Sequence, residues 1–192
     1  RTVNGGMAAI SYAPSSARFE VGGTPVRVAC DTDYPFRETI QITVKTKKPA
    51  RFPLLLRVPG WTEGATLRIE DRTEKRLKPG TFQPVDREWS GEVTLLVRFP
   101  MSVRTSRRYN EALAIERGPL VYSLKLGEEW TRVNANKPHR ELPHGDFEVR
   151  PTTPWNYALL VDEAKPEAGI SFHEQPVGEK PFSPEGAGMS AR

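Results

Sequence analysis

Thr39-Ile40-Gln41-Ile42-Thr43-Val44 alternates polar and apolar residues without a break. A β-strand sends successive side chains to opposite faces. Ile40, Ile42 and Val44 therefore share one face, and Thr39, Gln41 and Thr43 the other. The pattern describes an extended segment with one wet and one buried side. The same period continues upstream. Met7 to Tyr12 reads as a short apolar strand closed by Ala13-Pro14-Ser15-Ser16. Phe19-Glu20-Val21, the turn Gly22-Gly23 and the alternating run Pro25 to Cys30 follow. Downstream, Lys45 to Pro49 reads as a basic turn. Phe52 to Val58 is a more continuous apolar run, expected of a strand central in its sheet or covered on both sides, and Pro59-Gly60 ends it.

Ala65 to Ile69 is the next predicted strand, followed by the charged stretch Glu70 to Lys78 and the turn Pro79-Gly80. Thr81 to Val85 reads as a short edge strand, because Pro84 has no N–H to give to a ladder. Ser90-Gly91 reads as a turn into Glu92 to Phe99; Pro100 interrupts and Met101 to Val103 resumes. Glu111 to Arg117 has helical propensity, but Pro119 to Leu124 follows closely, and a hairpin with that segment is the preferred reading. Beyond Gly127 the pattern thins. Asp146 to Val149 and Asn156 to Val161 look like strands, and Asn134 to Pro143 is polar and turn-rich. The tail from Pro166 to Arg192 has four prolines and four glycines and reads as loop with one strand near Ile170 to Phe172. Short strands separated by turn signals every 8–12 residues predict an all-β protein, an antiparallel β-sandwich or jelly roll with room for part of a second sandwich. The break at Thr105 to Asn110 divides a β-sandwich over 1–105 from a second β-rich region over 106–192, incomplete and with a loop-rich tail. No fixed-period repeat points to a propeller.

Composition agrees. Of 192 residues, 37% are apolar and 18 are proline, which suits strand ends and turns better than helices. The net charge of +4 is uneven: residues 1–136 hold 22 basic and 15 acidic side chains, residues 137–192 hold 6 and 9. Arg57, Arg68 and Arg98 alternate with apolar neighbours, as on the wet face of a strand. Without an aromatic-interleaved basic groove or a recognition helix, no nucleic-acid partner is expected. No run approaches the ~18 apolar residues of a membrane span, so no membrane partner is expected either. The first residues lack the apolar core of a signal peptide and do not begin with Met, which reads as an internal fragment or a processed chain; the compartment stays unknown.

Candidate chemistry is sparse. His139, His144 and His173 are the only histidines, and no third strong ligand is spaced to complete a metal site around the first two. Cys30 is alone and reads as a small core residue. Asp31 and Asp33, in Cys30-Asp-Thr-Asp-Tyr-Pro-Phe36, are the most suggestive carboxylates for glycoside chemistry, although Asp before Tyr-Pro is also ordinary turn chemistry. Glycines are scattered at turns with no phosphate-cradling loop. Of four tryptophans, Trp61 and Trp89 read as plugs at sandwich ends. Trp130 and Trp155 lie in less regular stretches and are the candidates for carbohydrate contact.

Five motifs in order carry a resemblance: Asp33-Tyr-Pro-Phe36, Leu54-Leu-Leu-Arg-Val-Pro-Gly-Trp61, Arg87-Glu-Trp89, Val97-Arg-Phe-Pro-Met-Ser-Val-Arg104 and Ala114-Ile-Glu-Arg-Gly-Pro-Leu-Val-Tyr122. Their order and spacing resemble the C-terminal β-sandwich region of the β-L-arabinofuranosidase family, glycoside hydrolase family 127 and relatives. The likeness covers roughly residues 30–124, with a weaker echo at Pro154-Trp-Asn-Tyr-Ala-Leu159. The chain departs from the family pattern at Glu70-Asp71, where Val-Asn-Gly is usual, and at Gly91-Glu92 for Gly-Asp. The resemblance implies that chemistry happens elsewhere, in an (α/α)₆ barrel with a zinc-bound cysteine nucleophile, glutamate and cysteine ligands and a glutamate acid/base. The family's Cys-Cys-Pro-Pro-Asn motif is absent from this sequence, so Cys30 receives no catalytic or zinc role. The expectation is a non-catalytic sandwich with no catalytic residue, metal or cofactor of its own, bracing the barrel of a parent enzyme that acts on L-arabinofuranosides. It would contribute to substrate access or dimerisation. A carbohydrate-binding module and a ligand-free assembly domain are the alternatives. The expected partners are the barrel, a second copy, and plant-type arabinose-containing glycans.

Overall fold

The computed structural model describes residues 2–3, 5–183 and 185–192. Seven strands build the main sheet: β1 (Met7–Ala9), β2 (Ser15–Val21), β3 (Thr24–Asp31), β4 (Thr39–Arg57), β5 (Thr66–Ile69), β6 (Lys75–Arg76) and β7 (Phe82–Arg98). Their order is β2-β3-β4-β7-β5-β6, all antiparallel, and β1 joins β4 as a parallel strand from Met7 opposite Leu54 to Ala9 opposite Leu56. Among the described residues no helix is long and apolar enough to cross a membrane.

β4 and β7 are the spine. Straight, the 19 residues of β4 would reach about 60 Å at ~3.3 Å per residue, far more than a small core can cover. A bulge breaks the line: Thr46 faces Gly91 and Ala50 faces Trp89, so β4 spends four steps where β7 spends two. The surplus is two residues, an even number, so the strand does not invert its faces. Ile40, Ile42, Val44 and Thr46 are buried before the bulge, and Ala50, Phe52, Leu54 and Leu56 after it. The two halves close on a common core. Phe19 of β2 meets Phe52 edge-on at 5.3 Å. Tyr12 donates its phenol to the Arg57 carbonyl at 2.8 Å and sets its ring against Phe99 at 5.4 Å. The result is a sandwich made largely by one folded sheet.

Three sequence expectations are corrected here. Lys45 to Pro49 is a bulge inside one long strand rather than a turn, with Lys47, Lys48 and Pro49 exposed at the bend. Thr81 to Val85 is no separate short strand, and Ser90-Gly91 is no turn; β7 runs through both. The proline reasoning survives in part, because residues 82–89 pair with β4 alone, and a strand with one neighbour tolerates proline.

Beyond the main sheet, β8 (Val103–Arg107), β9 (Leu113–Arg117) and β10 (Leu120–Tyr122) form a second, antiparallel sheet, with a 3-10 turn at Tyr109–Glu111. Residue 105, the expected division point of the chain, lies inside β8. The β9–β10 hairpin is the one read from the sequence. Its two-residue loop starts at Gly118 with φ of +57°, the sign that a tight primed hairpin turn demands of its first residue. A Cβ on Gly118 would lie 2.7 Å from the Met101 side chain. Gly118→Ala is expected to destabilise by about 1–2 kcal/mol from backbone strain, read as a lower urea midpoint at unchanged slope.

β11 (Glu128–Val133) pairs with β12 (Asp146–Pro151) as a two-stranded ribbon, and β13 (Phe172–Glu174) pairs with β14 (Met189–Ala191). The sequence pattern misses β11 and β14. It also overreads Asn156 to Val161, which is irregular, because an apolar run without a partner ladder has nothing to hold it extended.

The loop between β3 and β4 ties these parts together. Glu38 accepts from Arg98 at 3.0 and 3.2 Å, from the Met101 N–H at 3.0 Å and from Arg117 of β9 at 3.4 Å. Arg37 donates to the carbonyls of Gly188 and Gln175, each at 2.9 Å, beside β14 and β13.

Candidate functional site

The β11–β12 ribbon has two unlike faces. Cross-strand partners share a face, so Glu128, Trp130 and Arg132 lie with Pro151, Val149 and Phe147. The other face carries Glu129, Thr131, Val133, Glu148, Arg150 and Asp146. On the first face Trp130 is 61% exposed. Its ring meets Phe147 edge-on at 5.8 Å, and its indole N–H donates to Glu128 at 2.8 Å. Trp155, 64% exposed, lines a cavity of about 380 Å³ with Leu124, Leu126, Glu128, Val149 and Pro151. Val149 thus stands opposite Trp130 in the ladder and beside Trp155 in the cavity. The sequence singles out both tryptophans separately; pairing of β11 with β12 sets Trp130 opposite Val149, and Trp155 lines the same cavity as Val149. Tyr157, Leu159 and Leu160, which follow Trp155 in sequence, are exposed as well.

The other candidates take ordinary structural places. Trp89 is fully buried and Trp61 packs against the core with its ring 6.4 Å from Phe99. The Asp33 carbonyl accepts the N–H groups of Phe36 at 2.8 Å and Arg37 at 3.2 Å, which is turn geometry. Asp31 pairs with Gln41 on the β3–β4 ladder. The Asp146 carboxylate, beside His139 and His144 in sequence, receives Asn134 at 3.0 Å and Arg140 at 2.8 Å. Those partners, Asn134 first, hold its pKa below the usual carboxylate range. His173 shares a 3.2 Å hydrogen bond with Ser171.

Zinc chemistry, which the family resemblance places in a barrel, has no matching donor set here. Among the described residues no three His, Cys, Asp or Glu side chains gather to hold a metal. Cys30 sits opposite Ile42 and Ser15 in the sheet, and burial raises its thiol pKa above the ordinary value. A thiol kept protonated is a poor ligand and a poor nucleophile. The buried Glu116 is also no catalyst in waiting. Ser106 and Arg108 each donate to one of its carboxylate oxygens at 2.6 Å, and Arg104 donates to the other. Its acceptor capacity is spent on bridging β8 and β9. The sequence names this residue only as part of the Ala114–Tyr122 motif and gives it no role, since a Glu in an Ala-Ile-Glu-Arg run looks like any exposed charge.

A profile described as the GH127 middle domain of β-L-arabinofuranosidase matches residues 6–101. No curated protein matches the sequence. Among solved structures, a GH127 β-L-arabinofuranosidase from Geobacillus stearothermophilus T6 superposes with a TM-score of 0.55 at 22% identity, over 83% of this chain and 29% of its own. A GH127 β-arabinofuranosidase aligns over 77% of this chain and 28% of its own, with a TM-score of 0.53 at 18% identity. A further glycoside hydrolase aligns over 69% and 23%, with a TM-score of 0.52 at 23% identity. At such identities the likeness is one of fold, and this chain spans less than a third of the length of each of these proteins. The all-β sandwich architecture agrees with both comparisons, and the profile match covers half of the sequence; the chain belongs to the GH127 β-L-arabinofuranosidase family and carries its middle domain.

Proposed function

We propose that this chain is a non-catalytic β-sandwich of a β-L-arabinofuranosidase-like glycoside hydrolase and braces the catalytic barrel of that enzyme. The observation that carries the reading is the set of exposed apolar side chains on the β11–β12 ribbon and in the segment that follows it: Trp130, Phe147 and Val149 on one ribbon face, then Trp155, Tyr157, Leu159 and Leu160. Contiguous apolar patches of more than a few hundred Å² mark interaction sites on soluble proteins. Burial raises the Cys30 thiol pKa, and Glu116 is held by Ser106, Arg104 and Arg108, so both residues serve the packing of the sheets. In a parent enzyme carrying Trp155→Ser and Leu160→Ser, the melting transition of the barrel is expected to fall by several degrees, with KM for an aryl β-L-arabinofuranoside unchanged. An unaltered melting transition would sink the bracing role. A raised KM with no loss of stability would move this surface to substrate access, and loss of a dimer in light scattering would move it to self-association.

One observation favours a second reading, carbohydrate contact. Trp130 and Trp155 both border Val149, one of them in a cavity of about 380 Å³, and exposed aromatic rings can stack on sugars. Under that reading arabinose-containing oligosaccharides quench tryptophan fluorescence saturably, and Trp155→Ser abolishes the change. No change at millimolar sugar counts against it.

A further inference from the structure

The outer face of the main sheet carries a row of charge that strand pairing alone creates. Arg18 of β2 stands opposite Arg27 of β3, Arg27 opposite Lys45 of β4, and Lys45 opposite Glu92 of β7. With strands about 4.8 Å apart, three cations lie side by side within roughly 10 Å, all of them exposed. Only Lys45 is neutralised, by Glu92 at 2.8 Å. Among the described residues neither Arg18 nor Arg27 forms an ion pair. On one side the adjacent row, Ser16-Ala29-Thr43-Thr94, carries no charge; on the other, Glu20 stands opposite Pro25, one carboxylate beside the two arginines.

Like charges directly opposite in a sheet are unfavourable, so such a row needs a reason. Protection of an exposed edge is the ordinary one, and β2 is an edge strand. That explains Arg18, and Glu92 accounts for Lys45, but neither accounts for Arg27 on β3 between them. The row also borders a groove of about 760 Å³ that is lined further by Glu20, Pro25, Lys47 and Glu92. Four cations against two carboxylates, one of them paired with Lys45, leave this groove with an excess of positive charge beside the exposed ring of Pro25.

We propose that the Arg18–Arg27–Lys45 row and its groove bind an anionic, uronate-bearing glycan. Carboxylates pair with the guanidinium groups, which take them bidentately, while a sugar face rests against Pro25. The site is on a different surface from the apolar patch around Val149 and does not depend on the bracing role. Charge complementarity selects an anion, and membership of a carbohydrate-active family selects a glycan over a nucleic acid.

The test is affinity electrophoresis of the chain in polygalacturonate, in neutral arabinan and against double-stranded DNA. Retardation by polygalacturonate is expected, weakening roughly tenfold between 50 and 300 mM salt as counterions compete. It is expected to be lost in Arg18→Gln/Arg27→Gln, kept in Arg18→Lys/Arg27→Lys at reduced strength, and unchanged in Lys75→Gln/Arg76→Gln on β6. Because relief of repulsion favours folding, Arg27→Gln is also expected to raise Tm by about 1–3 °C while it weakens binding. No retardation at low salt, or equal retardation of the Arg18→Gln/Arg27→Gln variant, would overturn the proposal. So would DNA retained as strongly as polygalacturonate, or complete competition by millimolar inorganic phosphate.

Discussion

Trp89→Ala is expected to cost about 3–5 kcal/mol, the range for deleting a large buried aromatic side chain. Trp89 is fully buried and stands opposite Ala50, where β4 resumes its register after the bulge. Its ring stacks on Phe52 with centroids 5.5 Å apart, its indole N–H donates to the Phe52 carbonyl at 2.9 Å, and Arg87 lies 5.3 Å over its face. Its own carbonyl accepts from Thr46 at 3.3 Å, from the other side of the bend. Alanine would leave a cavity at the corner of the sandwich and an unpaired carbonyl inside it. Trp89→Phe keeps an aromatic ring but not the donor, and is expected to lose about 1–3 kcal/mol for the orphaned acceptor. Urea unfolding followed by far-UV circular dichroism separates the three proteins by midpoint. Against a total stability of about 5–15 kcal/mol, that loss is a large share of what holds the fold. A midpoint for Trp89→Ala equal to that of the parent would contradict the corner role.

Glu116→Ala is expected to cost about 2–3 kcal/mol. Removing one partner of a fully buried ion pair costs about 3–5 kcal/mol; here Arg104 and Arg108 remain 41% and 56% exposed and can turn to water, which lowers the figure. The hydrogen bond from Ser106, followed by the Arg104 and Arg108 charges, holds the Glu116 pKa below its ordinary value of 4.5 against the opposing effect of burial. A carboxylate whose pKa is lower folded than unfolded binds fewer protons in the native state. Its stabilisation is therefore complete above the ordinary value and is lost as pH falls through the folded value. The parent protein should lose more Tm between about pH 5 and pH 3 than Glu116→Gln does, because glutamine keeps the shape without the titration. Identical acid profiles for the two would show that Glu116 does not govern the β8–β9 junction.

Trp89 and Glu116 differ in how far the sequence reveals them. Trp89 announces itself as a large aromatic near a glycine, and the sequence reading assigned it a structural plug. Where it plugs was hidden, because Lys45 to Pro49 has the composition of a turn and of a bulge alike. The choice between them rests on Trp89 meeting Phe52 and Thr46, contacts between residues 37 and 43 positions apart. Glu116 carries no local mark at all; only the β8–β9 register, which sets Arg104 opposite it, turns an ordinary glutamate into a buried one.

Alternation in Thr39 to Val44 and Glu92 to Phe99, together with glycine and proline at the turns, determined the all-β class, the buried face of each main strand and the Gly118 hairpin, because these follow from backbone geometry over a few residues. Tertiary structure alone decided that β4 and β7 are single folded strands, that Asn156 to Val161 has no ladder, that two tryptophans border the same valine, and that Arg18, Arg27 and Lys45 form one row. Each of those depends on which strand lies beside which, and pairing across a sheet is a relation between distant segments that no local period encodes.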